Sequence, residues 1–413
     1  MSPVIDGERL VARLERLARI GRSPEGGTTR EAYGPLDVEA RDLVAGWMDD
    51  AGLQVEVDPA GNLVGRRAGT GSGRWLATGS HLDTVVEAGP LDGAYGVVAG
   101  VEVADALRHA GVKLAHDLVV VAFANEEGAR GTDGMVGSRA LVGDVSADEL
   151  AAPDDEGVLL AQRLADCGGD PAAIDDARWD TSAVAAFVEL HVEQGPVLDA
   201  GGLDLGVVLG ITGRQALDIE LAGAANHAGT TPMHLRHDAL AAAAEVVLAV
   251  EAMARDGIVR VATCGHIQAW PNVRNVVPGR VRLSAELRAD DLTKLTAARP
   301  EVQERLEAIG LRRGVEVSLG WGQLVPPIAA DPDVLTALRA EAERSARPWT
   351  ELWSGAGHDA QILAPHVPAA MIFVPSVGGI SHAPEERTDP EHLVAGAQLL
   401  ADSLVHLDGL ARR

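Results

Sequence analysis

The spacing of apolar residues predicts alternating helices and strands over much of the chain. Apolar positions recur at helical spacing over Val38–Ala51 and Gly96–Ala110. Shorter apolar runs predict strands at Leu53–Val57, Trp75–Thr78, Leu118–Ala124, Ala185–Leu190 and, near the other end, Ala370–Val374. The run Leu118–Ala124 has no polar position, which is typical of a strand buried on both faces of a parallel sheet. The pattern therefore predicts an α/β domain.

The pattern changes between residues 211 and 324. Elements are predicted there in the order βαββαβ, at Leu217–Leu221, His237–Arg255, Val259–Trp270, Val281–Arg288, Thr293–Ile309 and Val315–Trp321. This order is that of a ferredoxin-like α+β domain. Because strands of the α/β type lie on both sides of the segment, we interpret it as an insertion. The predicted domains are a discontinuous larger one, residues 1–210 and 325–413, and an inserted one, residues 211–324.

Composition and charge exclude several classes of protein. Hydrophobic residues make up 46% of the 413 positions, yet no run approaches the ~18 uninterrupted apolar residues of a membrane span. Residues Met1–Gly21 mix charges into an apolar repeat, which predicts an amphipathic helix and not a signal peptide. The net charge of −26 repels nucleic acid and anionic membrane surfaces, so we expect neither as a partner.

Cysteine usage and charge also bear on location and substrate. The two cysteines, Cys167 and Cys264, lie far apart and form no disulfide framework, so the expected location is the reducing cytoplasm. The negative charge of the chain repels anionic substrates at long range. A site for a carboxylate substrate would therefore need local arginine or metal charge.

Five residues that can bind metal follow strand ends or lie in glycine-rich turns: His81, Asp92, Glu127, His191 and His382. Open α/β sheets place their ligands beyond the carboxyl ends of the strands. Two metal ions about 3.5–4 Å apart need a bridging carboxylate and further ligands on each side. Asp92 can bridge, with His81 and His191 completing one site and Glu127 and His382 the other. These ligand types suit Zn²⁺, although Mn²⁺, Co²⁺ or Ni²⁺ also fit.

Two acidic neighbours of these residues have predicted supporting roles. The free carboxylate of Glu126 would take a proton from a water activated by the metal ions. Asp83 would accept the second ring N–H of His81 and so fix its tautomer. The plainer interpretation is that the histidines are structural, the Glu-Glu pair a solvated turn and Asp-Gly a β-turn. Spacing alone does not decide between the two, because the residues are far apart in the chain.

Seven local strings favour the metal-centre interpretation. In chain order they are Gly79–Thr84, Leu91–Gly93, Asn125–Gly128, Leu190–Pro196, Asn226–Met233, Ser354–Ala360 and Ile380–Glu385. Together they closely resemble the hydantoinase/carbamoylase family of metal-dependent amidohydrolases, which contains N-carbamoyl-L-amino acid hydrolases, β-ureidopropionases and allantoate amidohydrolases. The resemblance covers nearly the whole chain and places it within the wider group of two-zinc aminoacylases and carboxypeptidases.

The resemblance implies a fold and a metal centre. The implied fold class is α/β, a mixed-sheet catalytic domain like that of two-zinc peptidases, with an inserted α+β ferredoxin-like lid and dimerisation domain. Two divalent ions per chain, Zn²⁺ above all, would be held by the five residues named above, with Asp92 bridging. Glu126 matches the general base. The chain would work as a homodimer.

The resemblance also implies contacts to a small carboxylate or ureido substrate, from Gln194, Gln215, Asn275, Arg288, Gly357 and His358. Arg288 matches the arginine that binds the substrate carboxylate, for which its planar donor fork is suited. Without the resemblance it would be a strand-end arginine paired with Asp290 or Asp291. The catalytic His227 would reach across from the dimer partner and donate to the oxyanion of the tetrahedral intermediate.

The substrate is less well defined than the metal centre, because Val86–Leu91, Gly131 and Gly213–Gln215 depart from the family pattern. We predict hydrolysis of the C–N bond of an N-carbamoyl-L-amino acid, with release of the amino acid, CO₂ and ammonia. Allantoate and β-ureidopropionate are the alternative substrates. A non-catalytic binding protein on the same fold is a weaker alternative, since Glu126 and all five metal ligands are present. Nucleophilic catalysis is weaker too, because the chain has no Gly-x-Ser-x-Gly motif.

Overall fold

The computed structural model describes residues 3–71 and 73–410 of the chain. The chain divides into two compact units, the first comprising Met1–Gly210 and Ala329–Arg413 and the second Ile211–Ile328. Residues 1–2, 72 and 411–413 of the predicted domains lie outside the described residues. The catalytic role of one part and the lid and dimerisation role of the other stay predictions.

Strands and helices alternate through most of the chain. The strands are β1 (Gln54–Val57), β2 (Leu63–Arg67), β3 (Trp75–His81), β4 (Asp117–Phe123), β5 (Val184–Val192), β6 (Leu205–Ile211), β7 (Gly213–Ala222), β8 (Asn226–His227), β9 (Val261–Trp270), β10 (Val276–Val277), β11 (Arg280–Ala289), β12 (Glu316–Val325), β13 (Ile328–Ala329), β14 (Trp349–Ser354) and β15 (Ala369–Val374). The helices are α1 (Gly7–Leu17), α2 (Pro35–Asp50), α3 (Ala94–His109), α4 (Val136–Val142), α5 (Ala147–Leu150), α6 (Leu160–Asp166), α7 (Val197–Gly201), α8 (Ala239–Arg255), α9 (Leu292–Arg313), α10 (Pro332–Arg344), α11 (Asp359–Leu363) and α12 (Pro390–Leu410).

The first unit is built on a mixed sheet with strand order β1-β2-β4-β3-β5-β15-β6, in which β14 also pairs with β6. The central strands β4, β3, β5 and β15 are parallel. Strands β2 and β6 flank them in the antiparallel direction. Apolar strands that are buried on both faces, such as β4, take the inner positions of such a sheet. The carboxyl ends of the four parallel strands therefore meet at one edge.

Helix α3 connects β3 to β4 and packs against the central strands. All its residues over Ala94–Leu107 are buried, including two acids, Glu102 and Asp105. Helix α1 supplies their partners, because Arg9 pairs with Glu102 at 2.8 Å and Arg13 pairs with Asp105 at 3.0 Å. A buried charge is tolerated only when it is paired, so these contacts explain how α3 can carry acids inside the unit.

The second unit is a four-stranded antiparallel sheet with the order β12-β7-β11-β9, covered by α8 and α9. Its main elements run βαββαβ, as the sequence predicts for a ferredoxin-like domain. Burial alternates along β7, and Leu217, Ile219 and Leu221 join the core beneath the two helices. A separate short pairing joins β8 to β10.

Helix ends differ from the predicted ones for local reasons. Helix α2 begins at Pro35, before the predicted Val38, because proline suits the first turn of a helix. Helix α9 runs past the predicted Ile309 to Arg313 and ends at Gly314, which has φ of 64°. Glycine adopts this left-handed conformation without a Cβ penalty, so it terminates the helix.

The helix predicted within Met1–Gly21 is α1, over Gly7–Leu17; Met1 and Ser2 lie outside the described residues. Leu10, Leu14 and Leu17 form its buried stripe. Within residues 3–71 and 73–410, none of the helices combines the length and the apolar character needed to cross a membrane.

Candidate metal centre

The five predicted metal ligands lie at the carboxyl edge of the central parallel strands. His81 ends β3, and His191 lies close to the end of the neighbouring β5. Glu127 follows β4, and His382 follows β15. Asp92 lies in the loop between β3 and α3. The topology of the sheet thus brings together residues that are far apart in the sequence.

Several residues at this edge have left-handed backbone conformations. Asn125, Gln194 and His382 have φ of 54°, 57° and 54°. Such φ values are uncommon in residues other than glycine, and they cluster at functional sites. Gly93 has φ of 61°, and a Cβ at this position would lie 2.4 Å from the His81 ring. Only glycine therefore allows α3 to begin this close to His81.

Asp92 lies at the centre of the cluster. Its Oδ1 is 3.2 Å from His191 Nε2 and 3.6 Å from His81 Nε2. Its Oδ2 is 2.9 Å from His382 Nε2, which in turn is 3.7 Å from Glu127 Oε1. Two groups result, each with its ligand atoms within 4.8 Å of one another: His81, Asp92 and His191, and Asp92, Glu127 and His382. The two oxygens of Asp92 face different groups, as a bridging ligand requires.

Backbone carbonyl groups orient two of the histidine rings. The carbonyl oxygen of Asp83 is 2.9 Å from His81 Nδ1, and that of Val192 is 2.8 Å from His191 Nδ1. Because a carbonyl oxygen only accepts, each Nδ1 carries a proton, and in the neutral ring Nε2 has the lone pair that can bind a metal ion. Asp83 was predicted to accept the second ring N–H of His81, and it does so through its backbone carbonyl. Its carboxylate Oδ1 lies farther away, 3.8 Å from His81 Nδ1.

The Asp83 carboxylate instead holds the turn after β4. It accepts the backbone N–H groups of Glu126 and Glu127, at 3.3 and 3.1 Å. The two side chains of the turn then diverge, since Glu127 faces His382 whereas Glu126 Oε2 is 3.7 Å from His81 Nε2. Burial raises the pKa of Glu126 well above its usual range. A carboxylate with raised proton affinity beside the ligands suits a general base.

The electrostatics of the centre reflect carboxylates crowded by imidazole rings. Burial opposes ionisation of Asp92, but hydrogen bonds from His191 and His382 help to hold its pKa well below the usual range. Burial raises the pKa of Glu127 to about 7. The hydrogen bond to Asp92 raises the pKa of His382 to about 9. Metal ligands bind in their deprotonated forms, so a divalent cation would displace protons held at this site.

The donor set fits divalent metal ions. Groups of imidazole and carboxylate ligands are those that Zn²⁺ and related ions prefer. Among the described residues, Glu127 Oε1 has no hydrogen-bond partner although it is buried. A buried polar atom is costly unless it is paired. A cation held by Glu127, Asp92 and His382 would supply the missing partner.

Another group of potential ligands, Glu189, His191 and His358, lies next to the first. Its members already have partners, because Glu189 accepts from the Ser80 hydroxyl and from the Ala360 N–H, both at 2.8 Å. His358 Nε2 lies 2.8 Å from a serine hydroxyl. Burial lowers the pKa of His358 well below its usual range, so its ring is neutral. We interpret this group as support for His191.

The three predicted substrate residues of the first unit, Gln194, Gly357 and His358, differ in exposure and in hydrogen bonding. Gln194 lies beside the ligands, with its Nε2 donating to Asp92 Oδ2 at 2.8 Å. Its Oε1 is buried and has no hydrogen-bond partner within residues 3–71 and 73–410. Gly357 is exposed, whereas the His358 ring is buried and bonded to the protein. Gln194 Oε1 is therefore an acceptor without a partner among the described residues, whereas the His358 ring has one.

His227 and Asn275 are exposed and adjacent in the second unit. Strand β8 pairs with β10, and the Ala228 N–H donates to the Asn275 carbonyl at 2.9 Å. His227 Nδ1 accepts the N–H groups of Gly229 and Thr230, at 3.1 and 3.2 Å. In the neutral ring the proton is therefore on Nε2, which can act as a donor.

Arg288 and Gln215 already have partners within the second unit. Arg288 is half-buried, and its Nε donates to Glu286 Oε1 at 2.5 Å. Gln215 is fully buried, with its Nε2 donating to the Gly322 carbonyl at 3.0 Å and its Oε1 accepting from Arg299 at 2.8 Å. Both ends of the Gln215 amide are thus engaged inside the unit, and its substrate contact stays a prediction.

Sequence reasoning missed two carboxylates that support the centre. Glu189 is described above, and the buried Glu386 accepts the backbone N–H groups of Leu91 and Asp92. The sequence carries a weak signal for each, since Glu189 lies close to His191 and Glu386 directly follows the Ile380–Glu385 string. Their partners are distant in the chain, so local patterns do not identify them.

Comparison with known proteins places the chain in a family. The family model for peptidase family M20/M25/M40 matches residues 77–406. The chain belongs to this family. The chain is similar to the N-carbamoyl-L-amino acid amidohydrolase of Geobacillus stearothermophilus, at 40% identity over 96% of this chain and 97% of that protein. It is also similar to the allantoate amidohydrolase of Escherichia coli (strain K12), at 36% identity over 95% of each.

Solved structures of similar proteins agree with this assignment. A hydantoinase/carbamoylase family amidase from Burkholderia ambifaria has a TM-score of 0.92 at 37% identity, covering 99% of both chains. The aminopeptidase PepT from Bacillus cereus, at 18% identity and a TM-score of 0.66, shares the fold. The predicted family, the mixed-sheet fold class and the enzyme class, a hydrolase acting on C–N bonds other than peptide bonds, are confirmed. The family is metal-dependent, and this chain has clusters that can bind metal.

Proposed function

We propose that the chain is a two-metal N-carbamoyl-L-amino acid amidohydrolase. The observation that carries the proposal is the position of Asp92, whose two oxygens face two groups of ligands with Glu126 beside them. Relatives named N-carbamoyl-L-amino acid amidohydrolase, 40% and 35% identical to this chain, support the substrate class. The proposed ions are Zn²⁺, with Mn²⁺, Co²⁺ or Ni²⁺ as alternatives.

When bound, the two ions would polarise the substrate carbonyl and lower the pKa of the attacking water to about 7. Glu126 would accept the proton of that water as its oxygen bonds to the carbamoyl carbon. Glu126 would then deliver the proton to the amino-acid nitrogen as the C–N bond breaks, and so return to its ionised form. The released carbamic acid decomposes to CO₂ and ammonia.

Residues of both units are proposed to bind the substrate. Gln194 Oε1 is a buried acceptor for an N–H of the ureido group. Arg288, which binds the Glu286 carboxylate in this structure, would bind the substrate carboxylate through charge-assisted hydrogen bonds. His227 Nε2 would donate to the oxyanion that forms at the carbonyl oxygen. Asn275 and Gly357 are proposed as further contacts.

We propose a homodimer formed through the second unit. Strand β9 is at the edge of its sheet, and Val261 and Ile267 on this strand are exposed. Helix α8 packs beside β9 and exposes Leu240 and Leu248. An edge strand with exposed apolar residues is prone to pair with another chain. Two-fold pairing of these surfaces would cover both, and His227 of one chain would then act in the site of its partner.

Allantoate is the second candidate substrate. Relatives named allantoate amidohydrolase, from Bacillus subtilis (strain 168) and Escherichia coli (strain K12), are each 36% identical to this chain. Allantoate and N-carbamoyl amino acids share a carboxylate and a ureido nitrogen, so the proposed roles of Arg288 and Gln194 apply to both. β-Ureidopropionate has the same two groups and is the third substrate to compare.

Metal analysis tests the proposed centre. Protein stripped with a chelator is reloaded with Zn²⁺, Mn²⁺, Co²⁺ or Ni²⁺, and bound ions are counted while hydrolysis of an N-carbamoyl-L-amino acid is measured. We expect about two ions per chain, with activity that returns as the second ion binds. Full activity of the stripped protein would contradict the proposal, and so would full activity with one ion per chain.

A further inference from the structure

Glu386 is a buried carboxylate that joins two loops of the metal centre. It is 3% exposed. Its Oε2 accepts the backbone N–H groups of Leu91 and Asp92, at 2.8 and 3.1 Å. Its Oε1 accepts the Ser381 hydroxyl at 2.6 Å. One side chain thus binds the loop that presents Asp92 and the loop that presents His382, and the first of these contacts spans 295 residues of sequence.

The surroundings of Glu386 are shaped to hold it in this place. A Cβ at Gly89 would lie 2.2 Å from both the Cβ and the Oε2 of Glu386, so the loop before Asp92 needs glycine at this point. The Glu386 N–H donates to the Ala383 carbonyl at 3.0 Å, which closes the turn that begins after His382. The carboxylate is therefore fixed from its own loop and from the opposite one.

The two residues next to this contact need support. His382 has φ of 54°, a conformation that residues other than glycine keep only when their surroundings hold them in it. Ser381, directly before His382, is bonded to Glu386, and its Oγ also lies 3.4 Å from Asp92 Oδ2. The backbone of Asp92 is held by the same carboxylate. Loss of Glu386 would therefore remove support from both Asp92 and His382, which form one ligand group with Glu127.

We propose that Glu386 is a positioning residue that keeps Asp92 and His382 at the spacing needed to hold an ion together with Glu127; this rests on the proposed metal-dependent function. Glu386 does not bind the ion. It acts through the backbone of Asp92 and through Ser381. Groups that orient metal ligands in this way commonly contribute about 10–100-fold to metal affinity.

Metal titration of stripped protein tests the proposal, with Zn²⁺ as the probe and calorimetry as the readout. Glu386→Gln retains the shape of the side chain but leaves one acceptor oxygen where two are needed. We expect one of the two ions to lose affinity by about 10–100-fold. Ser381→Ala removes only the hydroxyl contact and should have a smaller effect in the same direction. Glu385→Gln is the matched control, because this neighbouring carboxylate is exposed; it should bind both ions like the wild type.

The melting temperature of each metal-free variant separates positioning from general stability. The inference is overturned if Glu386→Gln binds both ions with wild-type affinity, whether or not its metal-free form melts earlier. If Glu386→Gln does not fold, Ser381→Ala decides, and wild-type affinity in that variant overturns the inference. A wild-type chain that binds no ion would overturn the proposed function as well, whereas unchanged affinity in the variants overturns only the role of Glu386.

Discussion

The candidate residues at the carboxyl edge of the sheet in the first unit differ from those in the loop of β8 in the second unit in how far they are buried and what holds them. His81, Asp92 and His191 are 3%, 2% and 1% exposed, and hydrogen bonds from within the unit orient them. His227 and Asn275 are exposed, and the hydrogen bonds of the His227 ring run to its own loop. Contacts within the unit therefore hold these three residues in place. The exposed pair gains a functional environment only from a substrate or a second chain.

This contrast predicts which substitutions should act within a single chain and which should depend on the substrate or on a second chain. A substitution at the metal edge should act within a single chain and should change the metal content or the chemical step. A substitution at His227 or Arg288 should act through the substrate or through the partner chain.

Asp92→Asn should have the largest effect. The amide has the shape of the carboxylate but cannot bridge two cations, and it leaves buried imidazoles beside a neutral group. Loss of metal-assisted charge stabilisation, several kcal/mol, corresponds to roughly 10⁴-fold in kcat/KM. Metal analysis and steady-state kinetics measure the outcome, with the exposed Asp148→Asn as control. A variant that keeps two ions and normal turnover would show that Asp92 does not bridge the two ions.

Glu126→Gln and Glu127→Gln separate the base from the ligand. Glu126→Gln should keep both ions and lose about 10²–10⁴-fold in kcat, because the amide cannot take the proton. Glu127→Gln should lose one ion, because its carboxylate faces His382 across the second group. Metal counts and kcat for the two variants decide the assignment. The roles are exchanged if Glu126→Gln loses an ion and Glu127→Gln does not.

Arg288→Ala should weaken binding of the substrate carboxylate. Loss of a charge-assisted pair should cost about 2–4 kcal/mol in kcat/KM. Arg214 lies directly opposite on β7 and is exposed, so Arg214→Ala is the matched control for charge alone. The loss should disappear with a substrate whose carboxylate is converted to an amide. An equal loss on both substrates would show that Arg288 supports the fold of the sheet and does not bind the carboxylate.

His227→Ala and Glu126→Gln together test whether the site is shared between chains. Each variant alone should be inactive. A mixed dimer would contain one site with both residues intact and one with both changed, so subunit exchange should restore up to about half the activity per mixed dimer. Exchange is followed with two affinity tags. If mixed dimers form and remain inactive, His227 works within its own chain or does not act on the substrate.

Much of the fold and the metal centre is predictable from the sequence, because the relevant signals are local. Apolar runs such as Leu118–Ala124 predict inner strands, and the candidate metal ligands His81 and Glu127 lie at the ends of such strands. The outer strands β2 and β6 were not predicted. Their pairing partners β4 and β15 are far away in sequence, so local patterns do not indicate the pairing.

The sequence did not predict several contacts that depend on tertiary structure. Asp83 accepts from His81 as predicted, but through its carbonyl, and its carboxylate is therefore free to hold the Glu126–Glu127 turn. Glu386 has its partners 295 and 294 residues away. The alternation of β7 places Gln215 in the interior of the second unit, and its substrate contact stays a prediction.

One comparison of substrates tests the proposed metal-dependent function most directly. Zn²⁺-loaded protein is given L- and D-forms of an N-carbamoyl amino acid, allantoate and β-ureidopropionate, and kcat/KM is measured for each, with chelator-stripped protein in parallel. We expect the highest kcat/KM for the N-carbamoyl-L-amino acid, a much lower one for its D-form, and no turnover without metal. A higher kcat/KM for allantoate would contradict the proposed substrate, and turnover of any of them by stripped protein would contradict the metal mechanism.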